Sequence, residues 1–71
     1  MRYEQLAVIE AAVQEAAVRI KRQQAFIADF QTRGYELRAP LMLLSCMLIN
    51  LRTLEKQRRD LLVRIEDVVA V

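Results

Sequence analysis

The feature that most constrains the fold of this chain is an almost wholly apolar stretch over residues 41–51, with the sequence LMLLSCMLINL. Its only polar members are Ser45 and Asn50, and charged residues follow it directly from Arg52 onward. A helix of this length rises about 16 Å, roughly half of the ~30 Å hydrocarbon layer of a bilayer. The stretch is therefore too short for a membrane span. It predicts a helix that is buried on more than one side.

The small size of the chain adds a second constraint. Seventy-one residues allow one domain, and domains of this size rarely build a sufficient core without disulfides, a metal ion or oligomerisation. The only cysteine, Cys46, excludes an intrachain disulfide, and the lack of histidine leaves a zinc or haem site with few ligands. Because 55% of the residues are nonetheless hydrophobic, we predict a homo-oligomer, or a chain that binds a helical protein partner, with no metal and no cofactor.

The N-terminal residues show no secretory signal. Met1 is followed by Arg2 and Glu4, and no short apolar run leads to a small-residue cleavage site. Together with the lack of a membrane-spanning stretch, this predicts a cytoplasmic protein.

The first half of the chain has the apolar periodicity of a long helix. A line of positions, here called the seam, recurs at alternating steps of three and four residues, at Leu6, Ile9, Val13, Ala16, Ile20, Gln23, Ile27 and Phe30. This spacing predicts a helix over about residues 3–32 that packs lengthwise on another helix. Gly34 predicts its end, since glycine readily adopts the left-handed conformation at which helices commonly stop.

A second long helix is predicted after a short link. Pro40 suits the first turn of a helix, where its missing N–H would have no partner, so we place a turn over residues 33–39 and a helix over about residues 40–69. A link this short makes the two helices antiparallel neighbours. The chain is therefore predicted to be all-α, a single coiled-coil-like hairpin over residues 1–71. We expect it to dimerise into a four-helix bundle or to dock into a larger helical assembly.

Helix two has two overlapping apolar stripes, and one partner helix can cover only one of them. The first stripe consists of Leu41, Leu44, Leu48 and Leu51. The second consists of Leu44, Met47, Leu51 and Leu54, and continues through Arg58, Leu61 and Ile65. Our interpretation assigns the first stripe to helix one and leaves the remaining apolar side chains for a partner. The predicted partner interface comprises Leu41, Met42, Leu44, Cys46, Met47, Leu48, Ile49, Leu51 and Leu54.

Two amides lie on or beside these stripes, Gln23 in helix one and Asn50 in helix two. A turn centred on residues 35–37 would place Gln23 level with residues 47–50. The two side chains could then form a polar layer that sets the register and the oligomeric state, as single polar residues do in coiled coils. The alternative is that both amides lie at the edge of the seam in water.

The net charge of +2 raises the question of nucleic-acid binding. Much of the positive charge has a carboxylate one helical turn upstream, in the pairs Glu15 and Arg19, Asp29 and Arg33, Glu55 and Arg59, and Asp60 and Arg64. The candidate nucleic-acid face consists of Arg19, Arg22, Arg52, Lys56 and Arg59. No aromatic residues alternate with these cations, as they often do in single-strand recognition. A solvated face is therefore the simpler interpretation.

Nothing in the sequence predicts catalysis. Carboxylates such as Glu66 and Asp67 stand side by side on one helix, in a chain with no histidine to pair with them. Cys46 lies in the apolar sequence LLSCMLI and is predicted to be an inert buried thiol, since activation needs a cationic and partly exposed setting. We therefore predict that the chain is not an enzyme.

Several features occur in a fixed order, namely Ile20, Gln23 and Ile27, then Gly34, then Ala39 before Leu43 and Leu44, then Leu51, and later Leu61 and Leu62. In this order, over residues 13–65, the chain resembles a group of short bacterial helical-hairpin proteins that have no assigned activity. The resemblance implies the hairpin fold and carries over no functional residue. The cap that usually follows the glycine in that group, similar to His-Asp-Thr, is replaced here by Tyr35, Glu36 and Leu37.

These observations predict a non-enzymatic assembly module that uses the apolar face of helix two to bind itself or another protein. Two alternatives remain open. One is a small nucleic-acid-binding regulator that uses the basic residues. The other is an accessory subunit packed against a membrane protein complex, with Met42, Cys46 and Ile49 in contact with lipid or a transmembrane neighbour.

Overall fold

The computed structural model describes the backbone of residues 2–70 and the side chains of residues 3–67. It contains two α-helices, α1 (Arg2–Arg33) and α2 (Arg38–Ala70), which begin and end within two residues of the predicted bounds. The helices pack on each other and run in opposite directions, so that the start of α1 lies beside the end of α2. The resulting hairpin measures 58 × 15 × 14 Å. The predicted all-α hairpin is confirmed.

Gly34 ends α1 with a closed set of backbone hydrogen bonds. Its φ angle is +74°, in the left-handed region that glycine adopts without strain. The Gly34 N–H donates to the Gln31 carbonyl oxygen at 3.1 Å, and the Tyr35 N–H donates to the Phe30 carbonyl oxygen at 3.0 Å. These two bonds form a Schellman motif, which satisfies carbonyl groups at the helix end. The ring of Tyr35 also packs edge-on against Phe30, with centroids 5.1 Å apart, and this holds the link against α1.

The link leads directly into the first turn of α2. The Arg38 N–H donates to Oε1 of Glu36 at 3.0 Å, and the Leu37 carbonyl accepts a bond from the Leu41 N–H at 2.9 Å. Pro40 lies in this first turn, where its lack of an N–H costs no hydrogen bond. The helix therefore begins at Arg38, two residues before the position predicted from Pro40.

The seam predicted for α1 is the face that packs against α2. Every predicted seam residue is buried or half-buried. The most completely buried side chains are Ala16, Ile20 and Leu61, which are 8%, 6% and 7% exposed. Among the side chains of residues 3–67, these three alone are buried, and none of them completely. One hairpin therefore buries only a small part of its apolar surface.

The second helix packs on α1 with its second apolar stripe, which is the seam of α2. The stripe from Leu44 to Ile65 is half-buried or buried throughout, whereas Leu41 and Leu48 of the first stripe are 46% and 36% exposed. The interpretation that helix one covers the first stripe is therefore wrong. The reason is continuity along the helix, because the first stripe continues through two charged residues, Glu55 and Arg58, whereas the second stripe has Arg58 alone.

The two helices are also shifted along each other relative to the predicted register. Nε2 of Gln23 donates to the Pro40 carbonyl oxygen at 2.9 Å. This places Gln23 beside the first turn of α2, and not beside residues 47–50. One cause is the non-helical link at residues 35–37, because extended residues advance about 3.3 Å each, against 1.5 Å in a helix. Three such residues carry the start of α2 back alongside α1 by about one helical turn, which is part of the shift.

Candidate functional site

An apolar surface is left uncovered in the first half of α2. The exposed side chains, here called the apolar band, are Leu41, Met42, Leu43, Cys46, Leu48 and Ile49. Met42 and Ile49 lie on the side of α2 farthest from α1 and are 63% and 61% exposed. No charged residue stands between Arg38 and Arg52, so the uncharged part of the helix is about 20 Å long.

The apolar band contains only part of the partner interface that was predicted from the sequence. The other predicted residues pack on α1 and are half-buried, namely Leu44, Met47, Leu51 and Leu54. Leu43 belongs to the band, with 49% of its surface exposed, although the sequence interpretation left it out. The sequence did contain the information needed to include Leu43. It directly precedes the seam residue Leu44, in a stretch that is apolar on every face.

The two amides of the predicted polar layer do not meet within one hairpin. Gln23 is half-buried and bonded to Pro40. Asn50 is exposed, and its side chain makes no hydrogen bond within residues 3–67. A contribution of Asn50 to a contact between chains stays a prediction.

A shallow groove runs along one side of the helix pair, next to the apolar band. Residues that directly precede seam positions line it on both helices, namely Ala12, Glu15 and Arg19 of α1, and Leu43, Cys46 and Asn50 of α2. Arg19 is held at the rim by an ion pair with Glu15, with 2.6 Å between Nη2 and Oε1. The apolar band therefore continues into a groove whose opposite wall carries a neutralised pair of charges.

A second open groove lies near the free ends of the helices and is polar at its rim. Ile9 and Leu61 contribute apolar lining, and Asp60 and Arg64 belong to its α2 wall. Asp60 pairs with Lys56, with 2.9 Å between Oδ2 and Nζ, and not with Arg64 as predicted. The hydrogen bond from Lys56 lowers the pKa of Asp60 below its ordinary value, and the charges of Lys56, Arg64 and Arg59 act in the same direction. This groove therefore carries an ionised, satisfied carboxylate.

The residues of the candidate nucleic-acid face are divided between two sides of the hairpin. Arg19 and Arg22 precede seam residues, whereas Arg52 and Arg59 follow seam residues, and these positions point about 100° to either side of the seam. Arg19 and Lys56 are each engaged in an ion pair. The five cations therefore do not form one continuous basic surface.

The thiol of Cys46 is exposed in the hairpin, which corrects the prediction of a buried thiol. The cause is that Cys46 lies beside the stripe that packs on α1. Among the described residues, no three cysteine, aspartate or glutamate side chains come together in a way that could hold a metal ion. The absence of enzymatic activity stays a prediction.

Comparison with known proteins adds no function: no protein-family model, no curated protein and no solved structure matches the chain. The resemblance to short bacterial hairpin proteins therefore stays a prediction as well. Over residues 2–70, neither helix has a segment that is both long enough and apolar enough to cross a membrane.

Proposed function

We propose that the protein is a non-enzymatic assembly module in which the apolar band of α2 binds a helical surface, of a second copy or of another protein. The observation that carries the proposal is the band itself, a set of exposed apolar side chains on an uncharged helix segment. Removing apolar surface from water is favourable by roughly 25 cal/mol per Å², and contiguous apolar patches often mark interaction sites. Covering the band therefore provides a driving force for association.

The total surface of the hairpin supports the same proposal. The chain exposes 5791 Å², whereas a compact monomer of 8.3 kDa exposes about 4,600 Å². Its Cα radius of gyration is 16.6 Å, compared with about 11 Å for a compact domain of this length. The excess of about 1,200 Å² is surface that a small domain ordinarily buries. A single hairpin is in this sense an incomplete folding unit.

The test is the molar mass in solution, measured by light scattering at several micromolar concentrations and at low and high salt. We expect a mass of at least twice 8.3 kDa, with little dependence on salt, because apolar association is not screened by ions. Binding to nucleic acid would instead weaken steeply as the salt concentration rises. A folded, dispersed monomer throughout this range would exclude self-association and leave another protein as the partner of the apolar band.

Replacement of Ile49 by Asp should abolish association. Ile49 is 61% exposed in the single hairpin, and an ionised carboxylate in its place would be buried in an apolar contact. The cost of several kcal/mol weakens association by at least about 100-fold. Light scattering and circular dichroism, recorded at the same protein concentration, measure the loss of mass and any coupled loss of helix.

Val63→Asp is the matched control for this substitution. Val63 is 55% exposed on the same outward side of α2, two heptads beyond Ile49, but it lies outside the apolar band. The control should keep the mass of the native protein. Equal masses for the Ile49→Asp and Val63→Asp variants would show that the apolar band is not part of the interface.

A further inference from the structure

We propose that the occupant of the apolar band is a second copy of the chain, docked antiparallel about a two-fold axis that passes between Ser45 and Cys46 of α2. This proposal rests on the assembly role proposed above. It adds the identity of the partner, the orientation of the two helices and their register.

The surface that the hairpin as a whole exposes in excess is of the size that a stable dimer buries. Stable dimers bury on the order of 800 to 2,500 Å² per subunit, and the hairpin exposes about 1,200 Å² more than a compact chain of its mass. The uncharged segment of α2 is about 20 Å long. A second copy of the same segment matches it in both length and polarity.

The outward face of the apolar band is complementary to its own reversed sequence. The proposed axis places Met42 opposite Ile49 of the second copy, with Ser45 and Cys46 beside the axis. Met42 and Ile49 are exposed, similar in size, and both lie on the side of α2 farthest from α1. A two-fold interface uses the same patch on both subunits, so a patch that matches itself in reverse satisfies the symmetry without any other partner.

A full-length antiparallel dimer, centred on Leu54, covers the band less well. It would place Ile49 opposite Arg59 of the second copy, and Met42 opposite Glu66 of the second copy. Each contact would press a charged group against an exposed aliphatic side chain and would leave that charge without a partner. The proposed register avoids both contacts, because beyond the band each α2 extends past the turn of the other hairpin.

A parallel dimer is disfavoured by like charges. Each residue of α2 would lie level with its own copy, so that Lys56, one heptad after Ile49 on the same side of α2, would face an identical cation. The dipoles of the two helices would also be aligned side by side. In the proposed register, Lys56 lies level with Tyr35 of the second copy, before the start of its α2.

This register can be tested by cross-linking through the natural cysteine, because Cys46 is exposed and is the only cysteine. In the proposed dimer, the two Cys46 thiols lie beside the two-fold axis, within reach of a short bismaleimide. The control is the double variant Cys46→Ser, Thr53→Cys, which moves the thiol by one heptad along the same side of α2. In the proposed register, two cysteines at position 53 are about 22 Å apart along the helix axis.

We expect the native chain to be cross-linked as a dimer at least about 100-fold faster than the control, because paired thiols have a millimolar effective concentration in a micromolar solution. Cross-linking of both chains in urea gives the rate of random collision. Preferential cross-linking of the control would indicate the full-length antiparallel dimer, and equal cross-linking of both would indicate the parallel dimer.

The mass of the cross-linking samples separates the two proposals. A dimeric mass with either of the other cross-linking patterns, or with no cross-linking at all, would overturn the register and leave the assembly role standing. A folded monomeric mass would overturn the proposed homodimer and restrict the assembly role to binding another protein.

Discussion

At the scale of single residues, Gly34 is the position where the backbone conformation most restricts which residue type can be present. Its φ angle is +74°, and a Cβ atom added there would meet nothing within 4 Å. A side chain at this position therefore has a conformational cost without a steric clash. Gly34→Ala should lower the free energy of unfolding by about 1–2 kcal/mol, the cost of the left-handed conformation for a residue with a Cβ. Chemical denaturation at a fixed protein concentration measures this difference.

Asparagine provides the control for this position, since its short polar side chain tolerates the left-handed region better than alanine does. We expect Gly34→Asn to be more stable than Gly34→Ala, although it is the larger substitution. An alanine variant as stable as the native chain would contradict the left-handed turn.

Gln23 shows why the environment of a polar residue is harder to predict than its position. The three-and-four spacing places Gln23 on the seam, and the structure has it there, half-buried. Its partner is the Pro40 carbonyl and not the side chain of Asn50. That choice depends on how far the non-helical link advances, and the helical periodicity carries no information about this distance.

At the scale of the helices, the adjacent residues Leu61 and Leu62 compare the packed face of α2 with the edge of that face. Leu61 is 7% exposed and Leu62 is 36% exposed. Leu61→Ala should therefore lower the free energy of unfolding by about 2–3 kcal/mol, because it removes buried methyl groups and leaves a cavity. Leu62→Ala, the control, should change it by less than about 1 kcal/mol.

Both variants should be unfolded by urea at the same protein concentration, because association contributes to the measured stability. A larger loss for Leu62→Ala than for Leu61→Ala would mean that α2 is rotated about its axis relative to the described packing.

At the scale of the whole molecule, the proposed register determines the length of the assembly. A full-length bundle of two hairpins would be about as long as one hairpin, which measures 58 Å. With the two-fold axis between Ser45 and Cys46, the free ends point away from each other and the dimer is about 75 Å long. Small-angle X-ray scattering should therefore give a maximum dimension well above 58 Å. A dimeric mass with a maximum dimension near that of one hairpin would exclude the proposed register.

The amino-acid sequence alone determined the number of helices, the end of the first at Gly34 and the face of α1 that is buried. These features are local: three-and-four spacing of apolar residues, helix-forming residues between them and one glycine have the same meaning whatever the partner is. The sequence also indicated that residues 41–51 exceed what one partner helix can cover. Exposed side chains such as Met42 and Ile49 agree with that prediction.

The tertiary structure decided which face of α2 is left over and how the two helices are aligned. In the first half of α2 nearly every face is apolar, so local periodicity fits two rotations of the helix about its axis equally well. Packing along the whole length selects one of them, because the stripe from Leu44 to Ile65 has one charged member, Arg58, whereas the other rotation would add Glu55. Rotation and register are properties of two surfaces in contact, which is why Leu41 and Leu48 belong to the apolar band and Met47 does not.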